Sequence, residues 1–154
     1  MRVGLAVRND TAYANCHALA DLRGLAKRIC GGEGVAEDLE ISVLLCDDAT
    51  MQALNAQYAH KNEATDVLSF PQPDAHILDG PRALGDIAIS LETVSRRCDA
   101  ENAAMRAEVR LLFCHGLLHL LGFDHATACA KRAMAERQAV YLECSVDAAW
   151  FRGH

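Results

Sequence analysis

Three histidines, His115, His119 and His125, stand in the pattern H-x-x-x-H-x-x-G-x-x-H. Residues four apart on a helix emerge from the same face, with Cβ atoms about 6 Å apart. The imidazoles of His115 and His119 can therefore reach one ion at a zinc–nitrogen distance of about 2.0–2.1 Å. Gly122 follows, and glycine can take the left-handed conformation that ends a helix and turns the chain. The turn GFDH can then bring His125 back over the helix. The chain has seven histidines, and three of them fall in these eleven residues, which argues against an accidental grouping.

Three histidines leave one position of a tetrahedral zinc for water, the arrangement of a hydrolytic site. A purely structural zinc site normally closes with a fourth protein ligand, often cysteine. Cys114 is adjacent to His115, but neighbours on a helix point about 100° apart, so it is a poor candidate. The same histidine spacing with Glu at the second position describes a class of zinc peptidases in which that Glu is the general base. Here that position is Gly116, which weighs against peptidase chemistry and leaves other metal-assisted hydrolysis open. Asp124 either orients a ligand histidine or bonds backbone groups of its own turn. Asp86 and Asp66 stand at strand edges, where polar side chains can project into a cleft. Asp86 is the better candidate for a catalytic polar residue, against a plain turn role. Glu108, seven before His115, lies on roughly the same helix side and suits an ordinary salt bridge.

These residues need elements to hold them. Residues 2–8 alternate as a strand, and 16–30 carry a helical apolar face closed by the GGEG run at 31–34. LEISVLLC, residues 39–46, reads as a well-buried strand. Asp47 or Asp48 caps a helix to about Tyr58, and 59–64 reads as a polar loop. VLSF, 67–70, is a short strand halted by Pro71 and Pro73, with an exposed connection over 71–83. DIAIS, 86–90, places Ile87 and Ile89 on one face. A long helix runs from about Glu101 to Leu121, and a last one over roughly 127–145. Strands and helices alternate, then helices dominate. The expected fold is α+β with α/β-like layers: a small mixed sheet against helices, in one domain over residues 1–154.

Composition narrows the class. Apolar residues make up 51% of the 154, too many for a disordered chain. The start, MRVGLAVRND, has no export-type apolar core, and LLFCHGLLHLLGF is too short and too polar to span a membrane, so a cytoplasmic location is expected. Seven cysteines without a C-x-x-C pair argue against a disulfide framework and a cysteine-rich zinc site. A net charge of −6 argues mildly against non-specific nucleic-acid binding. The pairs Arg96/Arg97 and Arg106/Arg110 suit a solvated helix face.

HGLLHLLGFDH, residues 115–125, resembles the signature of the YbeY endoribonuclease family. LNAQY at 54–58, TDVLSFP at 65–71 and LGDIAIS at 84–90 are similar to its other recurring segments, in the right order. The resemblance implies a metal-dependent, single-strand-specific endoribonuclease holding one zinc ion (Zn2+) through His115, His119 and His125. It implies action in maturing the 3′ end of small-subunit (16S) ribosomal RNA and in ribosome quality control. The implied partners are single-stranded RNA, the small ribosomal subunit and ribosome-associated proteins, with no membrane. One position departs: beside the tyrosine the family usually carries an arginine thought important for cleavage, and here Tyr58 is followed by Ala59, His60 and Lys61. An arginine clamps a phosphate bidentately; alanine does not, and Lys61 or His60 lacks the planar fork. The expected mechanism is in-line attack of water on a phosphodiester at the metal. Lys61 or nearby arginines place the backbone, and Asp86 shapes the site or relays a proton. Two other readings stand beside it: a zinc hydrolase acting on a peptide or small molecule, and a ribosome-associated RNA-binding protein with weak or lost cleavage.

Overall fold

The computed structural model describes residues 1–58, 65–72 and 80–150. Its four strands are β1 (Val3–Asn9), β2 (Leu39–Cys46), β3 (Val67–Pro71) and β4 (Arg82–Ser90). Its five helices are α1 (Leu19–Gly32), α2 (Asp48–Tyr58), α3 (Leu91–Arg97), α4 (Asn102–Leu120) and α5 (Ala128–Leu142). The sheet order is β1-β2-β4-β3, with β1, β2 and β4 parallel and β3 antiparallel at the edge. This is the mixed sheet packed against helices that the sequence predicts.

The sheet's two faces differ. Leu5, Ile41, Val43, Ile87 and Ile89 lie with Leu22, Leu25, Leu112, Phe113 and Leu117 in the main core, beneath α1 and α4. On the other face, α2 covers one end only, packing Met51 against Cys46 and Ala88. The strand β2 records this division. Glu40 and Ser42 alternate outward and exposed, whereas Leu45 and Cys46 are both buried where α2 lies over the strand. The expectation of a well-buried strand therefore holds best for its second half.

Several element bounds differ from those read in the sequence, each for a local reason. The strand β3 ends at Pro71 as expected, but includes it as its last residue, paired with Gly85, since an edge strand tolerates a missing N–H. The strand β4 begins at Arg82, pairing with Leu39, and takes up an irregularity opposite Glu40 and Ile41. So the expected 71–83 connection contributes residues to both strands. The helix α1 starts at Leu19, three residues late, with Cys16 buried ahead of it, and runs through Gly32. Helix α3 directly continues β4, and Ser90 caps it by accepting from the Thr93 N–H.

Charged side chains tie these layers together. Asp48 accepts from Ser90 Oγ and Thr93 Oγ1, both at 2.6 Å, and pairs with Arg96 at 2.8 Å. Burial acts to raise the Asp48 carboxyl, but these hydrogen bonds and the Arg96 charge outweigh it and hold the group below the usual range. Asp66, one of the two strand-edge candidates, is 5% exposed and pairs with Arg97 at 3.2 Å. The same guanidinium reaches Glu108 at 2.9 Å. Burial opposes the charge on Arg97, yet these two carboxylates raise its pKa. Asp66 and Glu108 thus anchor α3 to β3 and α4, and Glu108 has the salt-bridge role expected of it.

Candidate metal centre

The helix α4 carries the first two histidines because its start and stop are both well defined. Glu101 caps it by accepting from the N–H groups of Ala103 and Ala104. At the other end Gly122 has φ +105°, the Gly122 N–H bonds His119 O, and the Phe123 N–H bonds Leu118 O. That pair of bonds is a Schellman stop, and its left-handed position is glycine for the reason read in the sequence. Asp124 Oδ1 then accepts from the Ala126 N–H at 3.1 Å, so this carboxylate holds the turn that presents His125.

The three histidines come together as expected. Their candidate ligand atoms all lie within 4.8 Å of one another. Nε2 of His115 is 3.0 Å from Nε2 of His119, and the His125 ring centroid is 5.4 Å and 5.1 Å from theirs. Two nitrogens sharing a tetrahedral zinc at about 2.0–2.1 Å stand about 3.3 Å apart, so small side-chain shifts suffice. The donor set suits zinc, and no carboxylate or thiol completes the group among the described residues. His115 is buried, while His119 and His125 are partly exposed, which gives the cluster one dry side and one accessible side.

The surroundings include residues that the sequence reading missed. Gln138 on α5, fully buried, meets His115 Nδ1 with its Oε1 at 2.8 Å. Its Nε2 donates to the Ala149 carbonyl. Trp150 packs edge-on against His115 and His125, at 5.4 Å and 5.6 Å between centroids, and Lys131 Nζ lies 5.5 Å from the Trp150 ring. Only the polar–apolar register of α5 could have flagged Gln138, a polar residue one turn from the buried Met134 and beside Ala139.

The remaining candidates fall elsewhere. Asp86 follows the β4 alternation: Ile87 faces α4, so Asp86 points to the opposite side of the sheet, where Gln72 Nε2 donates to its Oδ2 at 3.1 Å. The structure thus does not bring Asp86 together with the histidines. Cys114 is buried among apolar side chains, and that burial pushes its thiol up to about 12, far from a ligand thiolate. Lys61, with Ala59 and His60, lies outside the described residues.

Gly116 shows why the peptidase glutamate is missing. A Cβ there would sit 2.9 Å from Ile87 Cγ2 and 3.1 Å from Ser69 Oγ. Ser69 Oγ also donates to the Gly116 carbonyl at 3.1 Å. The helix lies so close to β3 and β4 at this point that a side chain would force Ile87 or Ser69 to shift. Gly116→Ala should destabilise the fold by about 1–3 kcal/mol through overpacking, despite the gain in helix propensity. Chemical denaturation measures this; an unchanged midpoint would mean that α4 lifts freely from the sheet.

A mixed sheet backed by a helix, with three histidines converging at that helix's end, defines an α+β scaffold that carries a candidate metal-binding site. The comparisons with known proteins agree. The family described as Endoribonuclease YbeY matches residues 7–145, and the chain belongs to this family. A curated relative from Anaeromyxobacter dehalogenans, named Endoribonuclease YbeY, is 44% identical over 106 residues, covering 67% of this chain and 52% of the relative. One of the same name from Chelativorans sp. is 40% identical over 127 residues, covering 79% of this chain and 78% of the relative. The chain thus spans about half the length of the first of these relatives and most of the second. A Thermotoga maritima protein solved in solution shares the fold, with a TM-score of 0.56 and 23% identity over 95% of this chain and 89% of that one. No helix among the described residues is long and apolar enough to cross a membrane.

Proposed function

We propose that this chain is a zinc-dependent, single-strand-specific endoribonuclease that acts in 16S ribosomal RNA 3′-end maturation and ribosome quality control. The observation that carries the hydrolase reading is the group formed by His115, His119 and His125, of which His119 and His125 are partly exposed. The RNA substrate, the small-subunit partner and ribosome-associated proteins rest on the family's name and on the motifs shared with it. A zinc ion held here supplies a Lewis-acid charge to a phosphoryl oxygen and lowers the pKa of a water. The chain itself contributes the rest. Gln138 orients His115, Asp124 holds the turn behind His125, and Gly116 lets α4 press against the strand beside the site. Lys61, two residues after the Ala59 that replaces the family arginine in the sequence, is the cation assigned to steady the RNA backbone. Asp86, set on the other side of the sheet, is given no proton transfer at the metal.

The test is cleavage of a labelled single-stranded RNA by zinc-loaded and chelated protein, with Ala59→Arg alongside. Cutting that needs zinc supports the reading, and a faster arginine variant identifies the missing clamp. Peptide turnover without RNA cutting would replace it with the other hydrolase reading. Ala59 itself favours a second reading, a ribosome-associated protein that binds RNA and cuts weakly. Association with the small subunit that survives chelation, without cutting by either form, is its signature.

A further inference from the structure

A groove of about 780 Å³ lies on the sheet face away from α4. Strand register builds its floor. Ala6, Ser42, Asp86 and Phe70 form one row across the four strands, and Arg8, Leu44, Ala88 and Leu68 form the next. The helix α2 covers part of the second row and reaches Phe70 in the first, whose Ala6 and Ser42 stay exposed. At the β3 end, Tyr58, the last residue of α2, is 57% exposed and packs on Phe70 with centroids 5.1 Å apart. The two rings are tilted at 60°, so Phe70 braces the exposed Tyr58 ring, whose own face is the surface offered for stacking. Beside it the Gln72 amide donates to Asp86 Oδ2 at 3.1 Å, which steadies the carboxylate in the groove. Small side chains, Ala6 and Ser42, leave the floor low between Asp86 and Arg8.

We infer that this groove binds one nucleotide of a single RNA strand, with guanine as the preferred base. The inference rests on the RNA reading above and goes beyond it by naming a base site remote from the metal. Three features fit together. The Tyr58–Phe70 platform offers stacking, the general means by which unpaired bases are held. Asp86 presents a carboxylate whose oxygens accept hydrogen bonds, and guanine is the base whose N1–H and N2–H donors lie side by side to meet it. Arg8 stands two strand spacings across and two residues along from Asp86, about 12 Å between backbones, a gap its long side chain can shorten toward a phosphate of the same nucleotide. Its surface pair with Asp10, at 78% and 43% exposure, is weakly held, so the guanidinium can turn to a phosphate. A paired base cannot present that edge, so the site selects for single strands. The groove connects to the metal centre through β3: Ser69 lines the groove and hydrogen-bonds Gly116, next to His115. A strand crossing that edge would run from the base site toward the histidines.

The experiment is binding of short labelled ribo-oligomers, with one guanosine or none, to chelated protein, so that nothing is cut. Tyr58 is exposed, so Tyr58→Ala leaves the fold intact, and Asp86→Asn preserves shape while replacing an acceptor with a donor. The expected result is a roughly tenfold weaker affinity for Tyr58→Ala, the loss of one stacked base. Asp86→Asn should erase the preference for the guanosine oligomer and leave guanosine-free binding unchanged. Oligomers that bind both variants as they bind the parent would overturn the site while leaving the RNA reading intact. Loss with Tyr58→Ala but an unchanged preference with Asp86→Asn would overturn the guanine assignment. A parent that binds no oligomer at all, with no zinc-dependent cutting, would overturn the base site together with the RNA reading.

Discussion

Replacing His119 with alanine should leave a folded protein that no longer holds stoichiometric zinc. His119 is partly exposed, so its removal opens no sealed cavity, whereas His115 is 1% exposed and its loss would also disturb the core. The variant retains only His115 and His125, and two imidazoles do not hold zinc against a competing chelator. Losing a group that merely supports a ligand costs about 10–100-fold in affinity, and losing the ligand itself should cost more. The consequence for stability is equally readable. A metal that binds only the folded chain stabilises it by about 4 kcal/mol at a thousandfold excess over its dissociation constant. Parent protein should therefore melt at a higher temperature with zinc than with chelator, and His119→Ala at the same temperature in both. One zinc per chain in dialysed His119→Ala would overturn the ligand assignment. A shared loss of zinc and of the melting difference would confirm that His119 acts through the metal.

The ease with which that site can be read comes from its locality. His115, His119 and Gly122 belong to one helix and its stop, so a period of 3.6 and a single left-handed residue bring the side chains together without knowledge of the fold. The alternation of Ile87 and Ile89 was equally legible, and it already implies that Asp86 faces away from the helix that carries the histidines. Treating Asp86 as a partner of the metal took its place at a strand edge as evidence of proximity. Legibility ends where contacts are long-range. The coverage of β2 depends on how far α2 extends over the sheet, so LEISVLLC alone could not show that only its second half is buried on both faces. The Asp66–Arg97–Glu108 cluster joins three elements, and neither a turn-forming aspartate nor a solvated arginine pair announces it. Helix α3 follows β4 without a break residue, and Ser90 serves both as the last strand position and as the cap, so no punctuation marks the change.

Gln138 is the strongest instance, 23 residues from His115 on another helix, and it yields the second large expected effect. Its amide has only one workable orientation. The Ala149 carbonyl can only accept, so it takes the Nε2 end, and Oε1 must face His115. A carbonyl oxygen in turn requires a donor, so His115 Nδ1 carries the hydrogen. Nε2 of His115 is then left with its lone pair directed at His119, the tautomer that a metal ligand needs. Gln138→Leu keeps the volume and removes this constraint. Zinc affinity should fall about 10–100-fold, measured against a chromophoric chelator. Gln138→Glu restores an acceptor for His115 Nδ1 and should recover the affinity, but it places a carboxylate against the Ala149 carbonyl and should loosen the turn before Trp150. The chain has one tryptophan, so its fluorescence isolates that second effect: Trp150 emission should change in both variants, and zinc binding only in the leucine one. Parent-like zinc affinity in Gln138→Leu would reduce Gln138 to a tie between α5 and the C-terminal turn. Recovery by glutamate and not by leucine separates the orientation of a ligand from the filling of a core, because both variants fill the same space.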